Sequence, residues 1–504
     1  MENPLRHFKF LNKRSGDTSG WGNERLSLPK KSAIGVALTR NSELRGCRLN
    51  LEQHSRIKTS LVGLCLLITA PSLSFSPGYA GALDTELVLR SNNATPEANQ
   101  TFARLQKETL DLINGYRYNE SEQKFLEMLR LLSQVYGEQS DSVSQTKKNL
   151  AVLYTEMHKY QEAESLLKSA LLSREKTYGS DSPQLAEILK SLGVVYIRKC
   201  NYEEAWIYFS KASGIIGRKS KKVDPHLLGH IADLKSSQGL YKEALGLCDK
   251  ALQVAGEGPN NDVDLVTGIQ ACQAGTYLEM GALNKAAGLY SQILNKKEAL
   301  KGANDPSVAD AKVDMATILL RQSKIAEAQT LINQALPIQQ KTYGNSSVEV
   351  AKTLSVQSDL VLAEGRITEA KELIAKSINI TEQILGLIHS ETATRLVKLA
   401  KIELLEKNLA ESERHCLQSL EIDRTIVGEQ HPAYANDLTI LASIYQEQGR
   451  VERAKSLYGQ AITILSKTLP PDSPDLKSNQ AAYKTLLKIK AKGRDTLTQD
   501  RPFR

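Results

Sequence analysis

The sequence predicts an all-α solenoid of paired helices, and three observations carry that reading. Small residues recur at a fixed interval. Ala163, Ala205, Ala244, Ala286, Ala328, Ala370, Ser412 and Ala454 follow one another at 42 residues, with a single step of 39. A period between about 20 and 50 residues marks a stacked repeat. Two further small positions keep the same register. One lies seven residues on (Ala170, Ala212, Ala251, Ala335, Ser377, Ser419, Ala461, with Ile293 as the exception), the other twelve residues back (Ala151, Gly193, Ala232, Ala274, Ala316, Ser358, Ala400, Ala442). Composition supplies the third observation. Aromatic residues make up 5% of the chain, and the β-branched and aromatic alternation of strands is scarce.

Residues 1–82 read as a two-part targeting leader. They hold twelve basic against five acidic residues, which accounts for nearly all of the net charge of +8. Residues 1–58 are basic, hydroxyl-rich and without hydrophobic period, so they are expected to be unfolded. Within residues 59–82, a basic flank ends at Lys58, an apolar core runs from Leu61 to Ala70, and Ala80-Gly81-Ala82 closes the segment. That is the pattern of an export signal. The core is too short for a comfortable membrane span, which needs ~20 residues. A signal placed this far from Met1 resembles the bipartite presequences of thylakoid-lumen proteins. The mature chain would then begin near Leu83. An uncleaved thylakoid anchor, a mitochondrial presequence, a secretory signal or a cytoplasmic location are the alternatives. Residues 83–97 form a polar linker, and the repeat array spans 98–492.

A degenerate unit opens the array, with Ser121 lying 42 residues before Ala163. In each full unit a first helix, A, is opened by Ser182-Pro183, Asp224-Pro225, Asp305-Pro306, His431-Pro432 or Ser473-Pro474. Proline suits the first helical position, behind a capping residue. A short turn follows, with glycine at Gly239, Gly281, Gly365 and Gly449. The second helix, B, leaves through Gly137, Gly179, Gly302, Gly344, Gly386 and Gly428, where a left-handed exit is cheap. Pro225 stands 19 residues before Ala244, where the other units have 22. Helix A of that unit therefore lacks three residues. Residues 475–492 read as a solvated capping helix, and 493–504 as a disordered tail.

This pattern resembles the tetratricopeptide repeat (TPR). The 42-residue period, Tyr160-Gln161-Glu162-Ala163-Glu164 and Tyr178-Gly179 are similar to the kinesin-light-chain and nephrocystin type. The resemblance implies a right-handed TPR superhelix of about eight to nine helix pairs. It also implies a concave face, lined by helix A, that binds other proteins. On that face it places Lys148, Lys190, Arg198, Arg321, Lys352, Lys401 and Asn436 as candidate partner-binding residues. A substitution at Lys352 is expected to leave stability almost unchanged. A basic loop with Lys219, Lys221 and Lys222 precedes the short unit and is a second candidate contact.

Residues 83–504 are nearly neutral, with 53 basic and 52 acidic residues, which removes the electrostatic case for nucleic acid. No catalytic motif is found, no cofactor is implied, and the six cysteines show no C-x-x-C pairing. His226 and His230 are the one helix-spaced histidine pair. Without a third ligand they read as helix-surface residues rather than a metal site. The expected function is a non-catalytic protein-interaction scaffold, an assembly or maintenance factor for complexes in a plastid or thylakoid compartment. The membrane would be a partner only if residues 59–82 stayed as an anchor. The alternative is a cytosolic cargo adaptor like kinesin light chain.

Overall fold

The computed structural model describes residues 96–219, 223–256 and 262–488. The leader 1–82, most of the linker, Lys221, Lys222 and the tail 493–504 lie outside the described residues, as does the side chain of Lys219. The described chain contains nineteen α-helices and no strand. They pair in order, A then B: α1 (Pro96–Asn114) with α2 (Tyr118–Tyr136), α3 (Asp141–Glu156) with α4 (Tyr160–Tyr178), α5 (Ala186–Arg198) with α6 (Tyr202–Lys219), and α7 (Pro225–Ser237) with α8 (Tyr241–Gly256). Then come α9 (Val263–Glu279) with α10 (Leu283–Lys301), α11 (Pro306–Arg321) with α12 (Ile325–Tyr343), and α13 (Val348–Ala363) with α14 (Ile367–Leu385). The last pairs are α15 (Ser390–Leu405) with α16 (Leu409–Ile426) and α17 (Pro432–Glu447) with α18 (Val451–Thr468), followed by the single helix α19 (Pro474–Lys488). Among the described residues no helix is long and apolar enough to cross a membrane.

The small residues sit where the helices cross. All eight positions from Ala163 to Ala454 have 0% exposure. A side chain no larger than a methyl lets the helix backbones approach, and larger neighbours such as Leu167 and Leu192 fill the space around them. At Ser358, Ser412 and Ser419 the hydroxyl is satisfied across the crossing, whereas that of Ser121 in the first unit is buried without a partner among the described residues. Ser358 Oγ donates to the Ala370 carbonyl at 2.7 Å, Ser412 to Ala400 at 2.7 Å, and Ser419 to Ala393 at 2.9 Å. Buried hydroxyls without such acceptors are costly. Gly193 is the extreme case: a Cβ there would overlap the Phe209 ring. That ring stacks on His230, 6.0 Å away and within 5° of parallel. His230 is therefore a core residue and not a helix-surface one. Sequence reasoning missed this because the space comes from a glycine 37 residues upstream. Burial holds its imidazole down to about 3.

The punctuation mostly folds as its chemistry dictates. Asp224 Oδ1 accepts the His226 N–H at 2.9 Å, and Asp305 Oδ1 accepts that of Ser307 at 2.9 Å. The B helices ending at Gly137, Gly179, Gly302, Gly344 and Gly386 exit through those glycines with φ between 83° and 89°. Helix α7 has 13 residues where α11, α13, α15 and α17 have 16, so the three-residue deletion falls in helix A. One start differs. Pro183–Leu185 forms a 3₁₀ turn, and α5 begins only at Ala186. The Ser182 hydroxyl bonds the Gln184 side chain instead of capping, and the Leu185 N–H closes the tighter bond to the Ser182 carbonyl at 3.0 Å.

Ala328→Asp should lower the unfolding free energy by about 3 kcal/mol or more, because it buries an unpaired carboxylate. The exposed Ala326, two residues earlier on α12, is the control. Equal melting shifts for Ala328→Asp and Ala326→Asp would contradict the assigned packing.

Candidate functional site: the seam and interior of the superhelix

Each unit places one residue in left-handed backbone conformation in the turn between helices A and B. These are Tyr116, His158, Cys200, Gly239, Gly281, Ser323, Gly365, Lys407 and Gly449, with φ between 56° and 84°. Four are the glycines expected there. The other five are not glycine, at a cost of about 1–2 kcal/mol each. Their positions explain part of that cost. The superhelix coils so tightly that the A–B turns of the first five units press on the starts of later A helices. Partners across this seam lie 189 to 194 residues apart in sequence, between four and five repeat units.

Five consecutive contacts form the seam. The Tyr116 hydroxyl donates to Asp305 Oδ1 at 3.0 Å. His158 Nε2 meets Glu349 Oε1 at 3.1 Å. Cys200 Sγ lies 3.3 Å from Ser390 Oγ. Gly239 packs on Pro432, and a Cβ there would come within 2.7 Å of the proline Cδ. Gly281 stands against Pro474 in the same way, at 2.8 Å. Two histidines at matched positions strengthen the seam. His389 Nδ1 accepts the Glu391 N–H and its Nε2–H donates to the Arg198 carbonyl, both at 3.1 Å. His431 does the same with the Ala433 N–H and the Ser237 carbonyl, both at 3.1 Å. The capping bond needs Nδ1 without its proton and so fixes the tautomer, while the Nε2–H that spans the turns donates in either protonation state. At the last contact, Arg321 Nη1 donates to the Leu278 carbonyl at 2.9 Å and Nη2 to Asp475 Oδ2 at 3.4 Å. Apolar packing accompanies these bonds. Tyr241 and Met280 of the earlier turn join Ala435, Leu438 and Leu476 of the later one in a single cluster.

A cavity of about 570 Å³, open in part to solvent, lies along the seam between the superhelical turns. Its wall draws on both turns: Tyr116, Tyr118, Glu156, His158 and Arg198 from the first, Asp305, Asp310, Asp314, Tyr343, Glu349, Lys352 and Glu391 from the second, with Asp264, Lys297 and Lys301 between them. Several of these charges answer one another. Lys352 Nζ binds Asp314 Oδ1 at 2.5 Å, and Lys301 lies 3.6 Å from Asp264. Burial alone would lower the Lys352 amine, but the Asp314 carboxylate raises it above its ordinary value. Burial, with the nearby Glu349 charge, pushes the Asp310 carboxyl up to about 7, and Gln339 and Tyr343 hydrogen-bond it at 2.8 and 3.2 Å. Among the described residues no group of three or more His, Cys, Asp and Glu side chains is placed to hold a metal ion.

The residues predicted to meet a partner are distributed as follows. Arg198 and Lys352 line the cavity. Lys148 and Lys401 are buried, and Asn436 is half-buried. Lys190 is buried in ion pairs with Asp224 at 2.7 Å and Glu187 at 2.8 Å. Arg321 belongs to the seam. Lys352→Asp would set two carboxylates side by side at Asp314, so the expected neutrality at this position is replaced by a strong destabilisation. Tyr116, Tyr118, His158, Glu156 and Glu349 escaped sequence reasoning, whereas the repeat register did point Asp310 to the concave face. The available signal was that Tyr116, His158 and Cys200 occupy the register of Gly239 without being glycine.

These features define a helical-repeat solenoid whose turns stack on one another. Residues 142–215, 307–383 and 391–467 match the family model described as tetratricopeptide repeat. Those three stretches are tetratricopeptide repeats. No curated protein matches it in sequence. Among solved structures it is similar to a Rap protein complexed with competence and sporulation factor, at 13% identity over 74% of this chain and 99% of that one, TM-score 0.52. It is also similar to a putative kinesin light chain with nearly identical TPR-like repeats from Podosopora anserina (23% identity, 40% and 94% covered, TM-score 0.31). A third is the apo quorum sensor NprR from B. thuringiensis (16%, 73% and 99%, TM-score 0.47).

Burial holds the His431 imidazole down to about 4. The same group titrates near 6.5 in an unfolded chain. Between these values the unfolded state binds more protons, so this contribution to stability is present above pH ~6.5 and is lost as pH falls towards 4. His431→Ser retains a capping hydroxyl but loses the seam bond. It should melt below wild type near pH ~7.5, with the gap narrowing as the pH falls through this window. A gap of constant size would show that the fold does not hold the His431 imidazole in its neutral form.

Proposed function

We propose that this protein is a non-catalytic scaffold that receives a segment of another protein in the interior of its superhelix. It would work as an assembly or maintenance factor for protein complexes in a plastid compartment. The observation that carries the binding reading is the cavity of about 570 Å³, walled by charged groups and tyrosines from two stacked turns. A fold that needed these residues only for packing would fill that space, because cores reach crystal-like density. Tetratricopeptide arrays offer such concave surfaces to extended or helical segments. The concave face, with Arg198 and Lys352 in its wall, is the proposed contact. The compartment is proposed from the leader alone: a basic, acid-poor stretch followed by the apolar Leu61–Ala70 core and the small residues Ala80 and Ala82.

Cys200 and Ser390 face one another across the seam. Ser390→Cys sets two thiols side by side, and oxidation would staple the turns shut. If guests enter by parting the seam, the oxidised variant should lose the partners that wild type captures from native extract, and reduction should restore them. Unchanged capture in the stapled state would place the contact elsewhere. The leader is tested separately. N-terminal sequencing of the native protein should find Leu83 or a close neighbour first, and a start upstream of Leu61 would contradict cleavage and favour an anchor.

A further inference from the structure

One end of the interior combines rings and carboxylates in a way the fold does not need. The ring centres of Tyr116 and Tyr118 lie 6.1 Å apart, and Tyr343 meets Tyr116 edge-on at 6.1 Å. All three line the cavity. Tyr116 belongs to the first superhelical turn and Tyr343 to the second, so the cluster exists only because the turns stack. Tyr116 holds its place at φ 57°, a conformation that disfavours a large side chain.

Beside Asp305, which accepts the Tyr116 hydroxyl, three more carboxylates of the cavity wall act on the Tyr118 phenol: Glu156, Asp310 and Glu349. Glu349 is answered by His158. Asp310 is held by a glutamine amide and a phenol rather than by a cation. Glu156 shares the cavity wall with Arg198 and His158, whose charges act on it. Burial raises its carboxyl above the ordinary range, Arg198 and His158 pull it back, and the Glu349 charge raises it further. Burying a carboxylate whose hydrogen bonds come only from neutral groups, as at Asp310, is expensive. A protein that does so beside a cluster of aromatic rings has built the two halves of a cation receptor, negative charge and π faces.

We infer that the Tyr116–Tyr118–Tyr343 cluster, with Glu156 and Asp310, receives a protonated amine or guanidinium carried by a lysine or arginine side chain of the guest segment. This rests on the reading of the interior as the guest site and names the chemistry that site selects. The array is nearly neutral as a whole, so the selectivity lies in the interior pocket and not in the outer surface.

The test uses a fluorescently labelled oligolysine peptide, with oligoglutamate and spermine as comparison probes, on the full chain. Anisotropy should show oligolysine binding that weakens about tenfold or more in a Glu156→Gln, Asp310→Asn double variant. Glu421→Gln, which removes an exposed outer carboxylate, should leave the affinity unchanged. Circular dichroism melting checks that the double variant is folded. It should remain folded, because both amides keep a side-chain oxygen to accept a hydrogen bond and nearly the same volume. If that variant unfolds, Tyr343→Leu gives the same readout through the rings. Four outcomes overturn the inference: oligoglutamate binding as tightly as oligolysine, no oligolysine binding to wild type, oligolysine affinity unchanged by the double variant, or spermine entering where oligolysine is excluded. Partner capture abolished by the oxidised Ser390→Cys staple, together with any of these outcomes, would keep the interior as the guest site and reject only its chemistry.

Discussion

Residues 116, 158, 200, 239 and 281 all take the left-handed backbone conformation, and all five press on the start of a helix nearly two hundred residues later. That recurring contact turns an open solenoid into stacked turns. Where it is made by glycine on proline, the backbones meet with no room for a Cβ. Where it is made by tyrosine, histidine or cysteine, a side chain bridges the gap at the cost of a strained φ. The interior cavity, its two-sided wall and the tyrosine cluster exist only while the turns touch.

The seam in turn depends on curvature set locally. Small residues at three registered positions fix how closely helices A and B and the next A approach. Repeating one geometry at each step fixes the radius of the coil. Serine at four of these positions, including Ser377, adds a hydroxyl-to-carbonyl bond without adding bulk. The coil is tight enough that inward-facing lysines meet the neighbouring repeat before any guest. Lys190 pairs with Asp224, Lys352 with Asp314, and Lys398 with Asp359. Each pair joins A helices of successive units, so the charged lining also braces the curvature.

The local half of this architecture was legible in the sequence, and the long-range half was not. Ala328 and its seven counterparts announce the helix crossings because each acts within one or two units. Gly302 and Gly344 announce helix exits because only a left-handed residue ends a helix that way. The three residues missing before Ala244 shorten helix A as the count required. No local pattern encodes the meeting of Tyr116 with Asp305 or of His431 with the Ser237 carbonyl, because curvature accumulated over more than four units brings them together. For the same reason the helix-A pattern could point Lys352 inward but could not show that Asp314 would already occupy it. His230 was misjudged through a different gap: the space that admits Phe209, and with it the stacked imidazole, is made by the missing side chain of Gly193.

The claim on which the rest stands is that successive superhelical turns are bonded to each other. Arg321 and Asp475 test it directly, since 154 residues separate them and the side-chain bond between them runs across the seam. A double-mutant cycle with Arg321→Ala and Asp475→Ala, read by denaturant unfolding, should return a coupling energy of about 1–3 kcal/mol, as for buried charged partners in contact. Additive effects, with a coupling indistinguishable from zero, would mean that the turns stand apart in solution and that the interior is an open groove.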